Sequence, residues 1–293
     1  MKNIIIIIFT VIYSFFALST EKKHQDTIPL SKDLVPQTLS DNELFLGSIK
    51  NSSYHLEHTL REHKKTVRVA CFNCDNSKIV SASSDKTAKV WDSKTGNLFQ
   101  NLEGHDDIVK SAYFNFDGSK IITASSDKTA KVWDVDTGVL LYTFSHLKSV
   151  DFANFSPNGN LVISYSRGDS LKIWNSVSGD LIYTLKDRKG FLNSIDFSPD
   201  STKLITTSGD RIAKVWDLET RNLVLILKGH AQCLNSAQFS PDGQKIVSTS
   251  DDNTVKIWDT VTGSLIHDLR SHNNSVSNAF FSQYNIKRLV LIK

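Results

Sequence analysis

Residues 82–92 read Ala-Ser-Ser-Asp-Lys-Thr-Ala-Lys-Val-Trp-Asp, and residues 124–134 repeat the same eleven letters. Looser copies run from Tyr165 to Asn175, Thr207 to Asp217 and Thr249 to Asp259. Their tryptophans are Trp91, Trp133, Trp174, Trp216 and Trp258, spaced 42, 41, 42 and 42 residues apart, and they are all the tryptophans of the chain. A fixed period of this length marks a repeat architecture, in which each unit buries its faces only against its neighbours.

Other residues keep the phase. Twenty-eight before each Trp stand His63, His105, His146, Arg188 and His230, and nineteen before stand Phe72, Phe114, Phe155, Phe197 and Phe239. Eight before stand Ser83, Ser125, Ser166, Ser208 and Ser250; six before stand Asp85, Asp127, Gly168, Asp210 and Asp252. Asp117-Gly118, Asn158-Gly159 and Asp242-Gly243 mark one turn, and Gly96, Gly138, Gly179 and Gly263 another. Between the turns the residues alternate as strands do. The spacing predicts strands over Val67–Phe72, Lys78–Ser83, Thr87–Trp91 and Asn97–Leu102, with the same four runs in every repeat.

The chain resembles the WD-repeat family of β-propellers, whose units begin near Gly-His and end at Trp-Asp. Gly104-His105 and Gly229-His230 match the first signature, and four of five units keep the second. The resemblance covers residues 44–293. It implies an all-β propeller of four-stranded blades, with repeats at 63–102, 105–144, 146–185, 188–227 and 230–269 and a partial one at 272–293. It also implies a hydrogen-bonded set in which Trp donates to Ser/Thr, which meets His, which meets Asp. Carried onto these residues, the sets are His63–Ser83–Asp85–Trp91, His105–Ser125–Asp127–Trp133 and His230–Ser250–Asp252–Trp258. The third repeat, with Gly168, a late Asp169 and Asn175, and the fourth, with Arg188, are expected to lack a complete set.

The ends extend the pattern. Ile49 precedes His63 by 14 residues, as Trp91 precedes His105. Leu44–Ile49 and Tyr54–Leu60 therefore read as the last two strands of a unit. Its first two would be Ser275–Phe281 and Lys287–Ile292, giving five whole blades and a sixth shared between the chain ends. Such a clasp removes free sheet edges. The alternative is a truncated seven-bladed form. Upstream, Ile4 to Leu18 is an apolar run after one lysine, ending at Glu21. That describes a signal peptide over 1–19, or a short membrane anchor. The first reading implies export; otherwise the protein is cytoplasmic. Residues 20–43, polar and with Pro29 and Pro36, read as a linker.

Several chemistries are excluded or disfavoured. A net charge of +3 over 293 residues gives no argument for nucleic acid or a membrane surface beyond the N-terminal segment. Three cysteines do not make a disulfide scaffold, and Cys71 and Cys74 lack a second pair for zinc. His55 and His58 fall on opposite faces of a strand. Asp134 to Gly138 opens like a calcium loop but lacks its distant glutamate. No nucleophile elbow accompanies the Ser, His and Asp residues, which recur once per unit where a catalytic triad would be single. No cofactor or metal is expected, and the chain reads as a non-catalytic scaffold.

The resemblance implies that a protein or peptide binds the face made by the loops that enter each unit and by the turn before its Trp strand. Lys64, Lys65, Lys86, Asp107, Lys128, Arg188 and Arg211 lie there and lean basic, so an acidic partner is expected. The alternatives are a truncated product without a binding role, and an enzyme with a site in a central channel.

Overall fold

The computed structural model describes residues 44–50, 53–185, 191–281 and 289–292. The expected signal segment 1–19, the linker 20–43 and Arg188 lie outside them. The chain divides into two compact units. One takes the described residues up to Thr184 except Ser156–Asn160, and the other takes that turn and the described residues from Leu185 on.

In the first unit, β1 (Leu44–Lys50) and β2 (Ser53–Leu60) form a two-stranded ladder. Three four-stranded sheets follow: β3 (Val67–Phe72) to β6 (Leu98–Leu102), with β4 (Lys78–Ser83) and β5 (Ala88–Asp92) between; β7 (Val109–Phe114), β8 (Lys120–Ser125), β9 (Thr129–Asp134) and β10 (Leu140–Ser145); and β11 (Val150–Phe155), β12 (Leu161–Ser166), β13 (Leu171–Asn175) and β14 (Leu181–Leu185). The second unit has two more, β15 (Leu192–Phe197), β16 (Lys203–Ser208), β17 (Ile212–Asp217) and β18 (Leu223–Lys228), then β19 (Leu234–Phe239), β20 (Lys245–Ser250), β21 (Val255–Asp259) and β22 (Leu265–Leu269). The ladder of β23 (Asn278–Phe281) and β24 (Leu289–Ile292) ends it. Each full sheet is an antiparallel meander in chain order, one per repeat, as propeller blades are.

The third strand starts one residue later than the spacing predicts in the first sheet. The ladder with the fourth strand begins at Ala88 opposite Leu102, whereas in the second sheet it begins one residue earlier, at Thr129 opposite Ser145.

The core lies between successive sheets. Val80, Ala82, Ala88 and Val90 of the first sheet pack with Val109, Ala112, Ile121 and Trp133 of the second. Ile122, Val132 and Phe144 pack with Val150, Val162 and Trp174 of the third. In the second unit, Ile205, Val215 and Leu227 pack with Leu234, Ile246 and Trp258. Each of these tryptophans thus lies against the preceding sheet. Phe281, in phase with the other phenylalanines, packs with Val247 and Val255. The second strand of each full sheet is almost wholly buried, and the fourth is the more exposed, largely so in the first and fourth sheets. That gradient explains why the second strands read Ile, Val, Ser and Thr without alternation.

Every first strand carries a bulge at one place. The register shifts between Val67 and Val69, Val109 and Ser111, Val150 and Phe152, Leu192 and Ser194, and Leu234 and Ser236. The skipped residues are Arg68, Lys110, Asp151, Asn193 and Asn235. A bulge of this kind re-aims a side chain out of the ladder.

The residue after the bulge tests what a buried hydroxyl contributes. Ser236 meets the Thr249 hydroxyl at 2.9 Å and Ser194 meets that of Thr207 at 2.8 Å. Ser111 faces Ala124 instead, and its buried hydroxyl has no partner among the described residues. Ser236→Ala should lower stability by about 0.5–1.5 kcal/mol, whereas Ser111→Ala should be neutral or stabilising. Urea midpoints of the two variants check this; equal losses would contradict it.

Candidate functional site

The indole of Trp91 determines the geometry at the heart of the first sheet. Trp91 lies opposite Ile79, so its diagonal neighbour on the same face is Ser81. Its Nε1 donates to Ser81 Oγ at 2.8 Å, and Ser81 Oγ meets His63 Nε2 at 2.7 Å. His63 Nδ1 meets Asp85 Oδ2 at 2.8 Å. A carboxylate only accepts, so Nδ1 carries the proton and Nε2 accepts from the Ser81 hydroxyl. The result is one directional chain, Trp to Ser to His to Asp, with every donor used. Asp85 also takes the Lys64 N–H at 2.8 Å, which ties the loop before β3 to the turn before β5.

The same chain recurs. In the second sheet it runs Trp133, Thr123, His105 and Asp127, at 2.9, 2.7 and 2.7 Å. In the fifth it runs Trp258, Ser248, His230 and Asp252, at 2.8, 2.8 and 2.9 Å. The histidines, aspartates and tryptophans are those expected, but the hydroxyl comes ten residues before Trp, not eight. Ser83, Ser125 and Ser250 share the face of Ser81, Thr123 and Ser248 but lie one pleat further on, beyond the indole. Each donates instead to the loop that enters its sheet: Ser83 to Lys65 O at 3.0 Å, Ser125 to Asp107 O at 3.1 Å and Ser250 to Gln232 O at 3.2 Å.

The third sheet also completes the set, against expectation. Trp174 donates to Ser164 at 2.8 Å, Ser164 meets His146 at 2.7 Å, and His146 meets Asp169 at 3.2 Å. Gly168 takes a φ of 74°, a left-handed turn residue that carries Asp169 back to the histidine although it comes one place late. Asn175 replaces the terminal Asp and keeps its backbone bonds, since its Oδ1 accepts from Val177 N and Ser178 N as Asp92 Oδ1 accepts from Lys94 N and Thr95 N. In the fourth sheet Trp216 donates to Thr206 at 3.0 Å, and Asp210 bonds Lys214 at 3.0 Å.

Two features escaped the sequence reading. Lysine stands two before every Trp, at Lys89, Lys131, Lys172, Lys214 and Lys256. Lys89, Lys214 and Lys256 are buried, and their amines find oxygen partners in Asn101, Asp210 and Asp268. The Gly of Gly-His also has a packing reason. A Cβ on Gly104 would lie 3.2 Å from the Trp133 ring, and one on Gly229 3.1 Å from that of Trp258.

Electrostatics agree with a closed structural set. Burial lowers the pKa of His63, His105 and His230 despite their aspartates, so the rings stay neutral. Burial pushes Asp85 up, but bonds from Thr87, the Lys64 N–H and His63 outweigh it and hold the carboxyl at about 2. His146 falls furthest, from 6.5 to about 4, through burial and then the charge of Lys172. Cys71 is buried, with its thiol pushed up to about 12, and Cys74 is exposed. His58 Nε2 bonds Lys94 O at 2.8 Å. Among the described residues no His, Cys, Asp and Glu group could hold a metal.

The expected partner-binding residues divide. Lys64, Lys65, Lys86 and Asp107 line one open depression of about 610 Å³ with Thr66, Arg68, Ser84 and Ile108. Lys128 holds the equivalent turn of the second sheet, and Arg211 that of the fourth. Arg188 lies outside the described residues.

Two predictions follow from the network. Ser81→Ala strands the indole N–H and the imidazole together and should cost about 2–4 kcal/mol; an unchanged urea midpoint would remove Ser81 from the chain. For His146, the unfolded ring binds a proton near pH 6.5 and the folded ring only near pH 4. Its neutral form therefore contributes stability above pH 6.5 that is lost as pH falls towards 4, by up to about 2–3 kcal/mol. Urea melts at pH 7.5 and 4.5 should show a steeper loss for the parent than for His146→Gln. Equal losses would contradict this.

No curated protein matches the chain. The family described as WD domain, G-beta repeat matches five times, at residues 54–92, 96–134, 138–175, 179–217 and 221–259. Each match starts one strand ahead of a sheet, as the first does in taking β2 with β3, β4 and β5. Together the matches span more than half of the chain, and the chain belongs to the WD40 repeat family.

Proposed function

We propose that the protein is a non-catalytic scaffold whose partner is an acidic protein or peptide, held at the loops that enter each sheet and the turns before each Trp strand. WD40 domains generally bind proteins, and this chain's own residues support the same use. The observation that carries it is the repetition of the His, hydroxyl and Asp set in four sheets, each time closed on a buried tryptophan. A reacting centre would be single and would leave its nucleophile open to substrate. The variable positions lie instead in exposed turns, and cations dominate there: Lys64, Lys65, Lys86 and Lys128 in the first unit and Arg211 in the second. Rim charges of this kind steer encounter and select partners more than they add affinity.

A pull-down from the native organism's extract checks the reading. The full chain is run beside a variant with Lys65, Lys86, Lys128 and Arg211 changed to Glu. A protein held by the parent and lost by the variant is expected. The same background on both would overturn the assignment of this face.

A further inference from the structure

The repeats serve as controls for one another. Positions equal in every repeat maintain the sheet; positions that differ are available for a ligand. Four turn positions can be compared: the two residues after the network histidine, the bulge residue, and the residue five before Trp. In the first repeat these are Lys64, Lys65, Arg68 and Lys86, all cations. In the second they are Asp106, Asp107, Lys110 and Lys128, and Lys110 is neutralised by Asp151 at 2.6 Å. In the third they are Leu147, Lys148 and Asp151, the last place being taken by the network acid Asp169, and in the fifth Ala231, Gln232, Asn235 and Asn253. The first repeat alone gathers four positive charges, and they line the 610 Å³ depression against a single carboxylate, that of Asp107.

The site is also shaped. Arg68 is the bulge residue, turned out of the ladder, and its Nε donates to Ser84 Oγ at 2.8 Å. That bond fixes the guanidinium while leaving its terminal nitrogens to the depression. Lys86 sits at φ 75°, a conformation that disfavours a long side chain and suits glycine. The lysine is tolerated at a backbone cost that the sheet does not need. Among the described residues no carboxylate forms an ion pair with Lys64, Lys65, Arg68 or Lys86. A fixed guanidinium fork with several ammonium groups and hydroxyls matches a doubly charged tetrahedral anion better than a single planar carboxylate. The volume exceeds that of a phosphate alone and leaves room for flanking residues.

We propose that the depression beside the first repeat binds a phosphorylated serine or threonine of a partner protein, with Arg68 and Lys86 as the principal contacts. The inference rests on the protein-binding reading above. Its test uses the full chain and three fluorescent peptide libraries of random flanks with a fixed central phosphothreonine, threonine or glutamate, read by anisotropy. The phosphothreonine library should bind at least tenfold tighter than the other two. Arg68→Gln and Lys86→Gly should each lose at least tenfold, and Lys86→Gly should keep or raise the urea midpoint, because glycine relieves the left-handed turn. Equal binding of the glutamate library would overturn the phosphate inference and leave the acidic-partner reading standing. Inorganic phosphate competing as tightly as the peptides would overturn it in favour of a free anion. No binding by any library would overturn it too, while the pull-down judges the broader reading separately.

Discussion

A buried indole N–H must find an acceptor, and in each sheet of this protein the acceptor is a hydroxyl on the neighbouring strand. An unpaired buried donor costs about 1–3 kcal/mol, and a half-satisfied polar chain costs more than an apolar one. The hydroxyl must therefore pass its own proton on, and the neutral histidine takes it at Nε2. The histidine then needs an acceptor for Nδ1–H, which the aspartate supplies. The chain ends at that aspartate because its other lone pairs face backbone N–H groups and a threonine at the sheet's edge. One requirement in the core thus fixes the register of two strands and the conformation of two turns.

The fold was legible because its period is carried by residues that cannot be exchanged freely. Tryptophan recurs since the indole spans from strand to strand, and Trp133, Trp174 and Trp258 also fill the space against the preceding sheet. The phenylalanine column, the turn glycines and the four strands per repeat follow the same logic. The hydroxyl was less legible. Serine or threonine occupies two columns on one face of the second strand, eight and ten residues before Trp. Which one meets the indole depends on strand register, and Ile79 opposite Trp91 decides for Ser81. Spacing alone does not contain that register. A lysine in every repeat was likewise visible, but its partners lie on the next strand, at Asn101 and Asp268, or in the turn, at Asp210.

The third repeat shows how tolerance arises. Moving the acid one place along the chain would normally carry it away from the histidine. Gly168 absorbs the change by adopting the left-handed conformation at 74°. The 3.2 Å contact from Asp169 to His146 is longer than the other three, and His146 has the most depressed pKa of the four histidines. Weaker help from the acid leaves burial and Lys172 to dominate. Sequence rules that require Asp at a fixed place fail here because they treat the turn as rigid.

Left-handed residues at the turn before the Trp strand separate folding from use. Lys86, Lys128, Arg211 and Asn253 all take φ between 66 and 75° at equivalent places. Asparagine suits that region, and glycine suits it better; lysine and arginine do not. In the turn after Trp the chain mostly places glycine where φ is positive, as at Gly96 and Gly138, although Arg221 holds that place in the fourth repeat. At Gly96 a Cβ would press on the His58 ring and its Cβ, which disfavours a side chain there. At Lys86 the side chain is exposed, and only backbone strain argues against it. Folding would be served as well by a smaller residue, which leaves the Lys86 side chain free for the use proposed above. Lys128 takes the same conformation in the second repeat, but Lys86 is the one that shares a depression with Lys64, Lys65 and Arg68, and this difference singles out the first repeat.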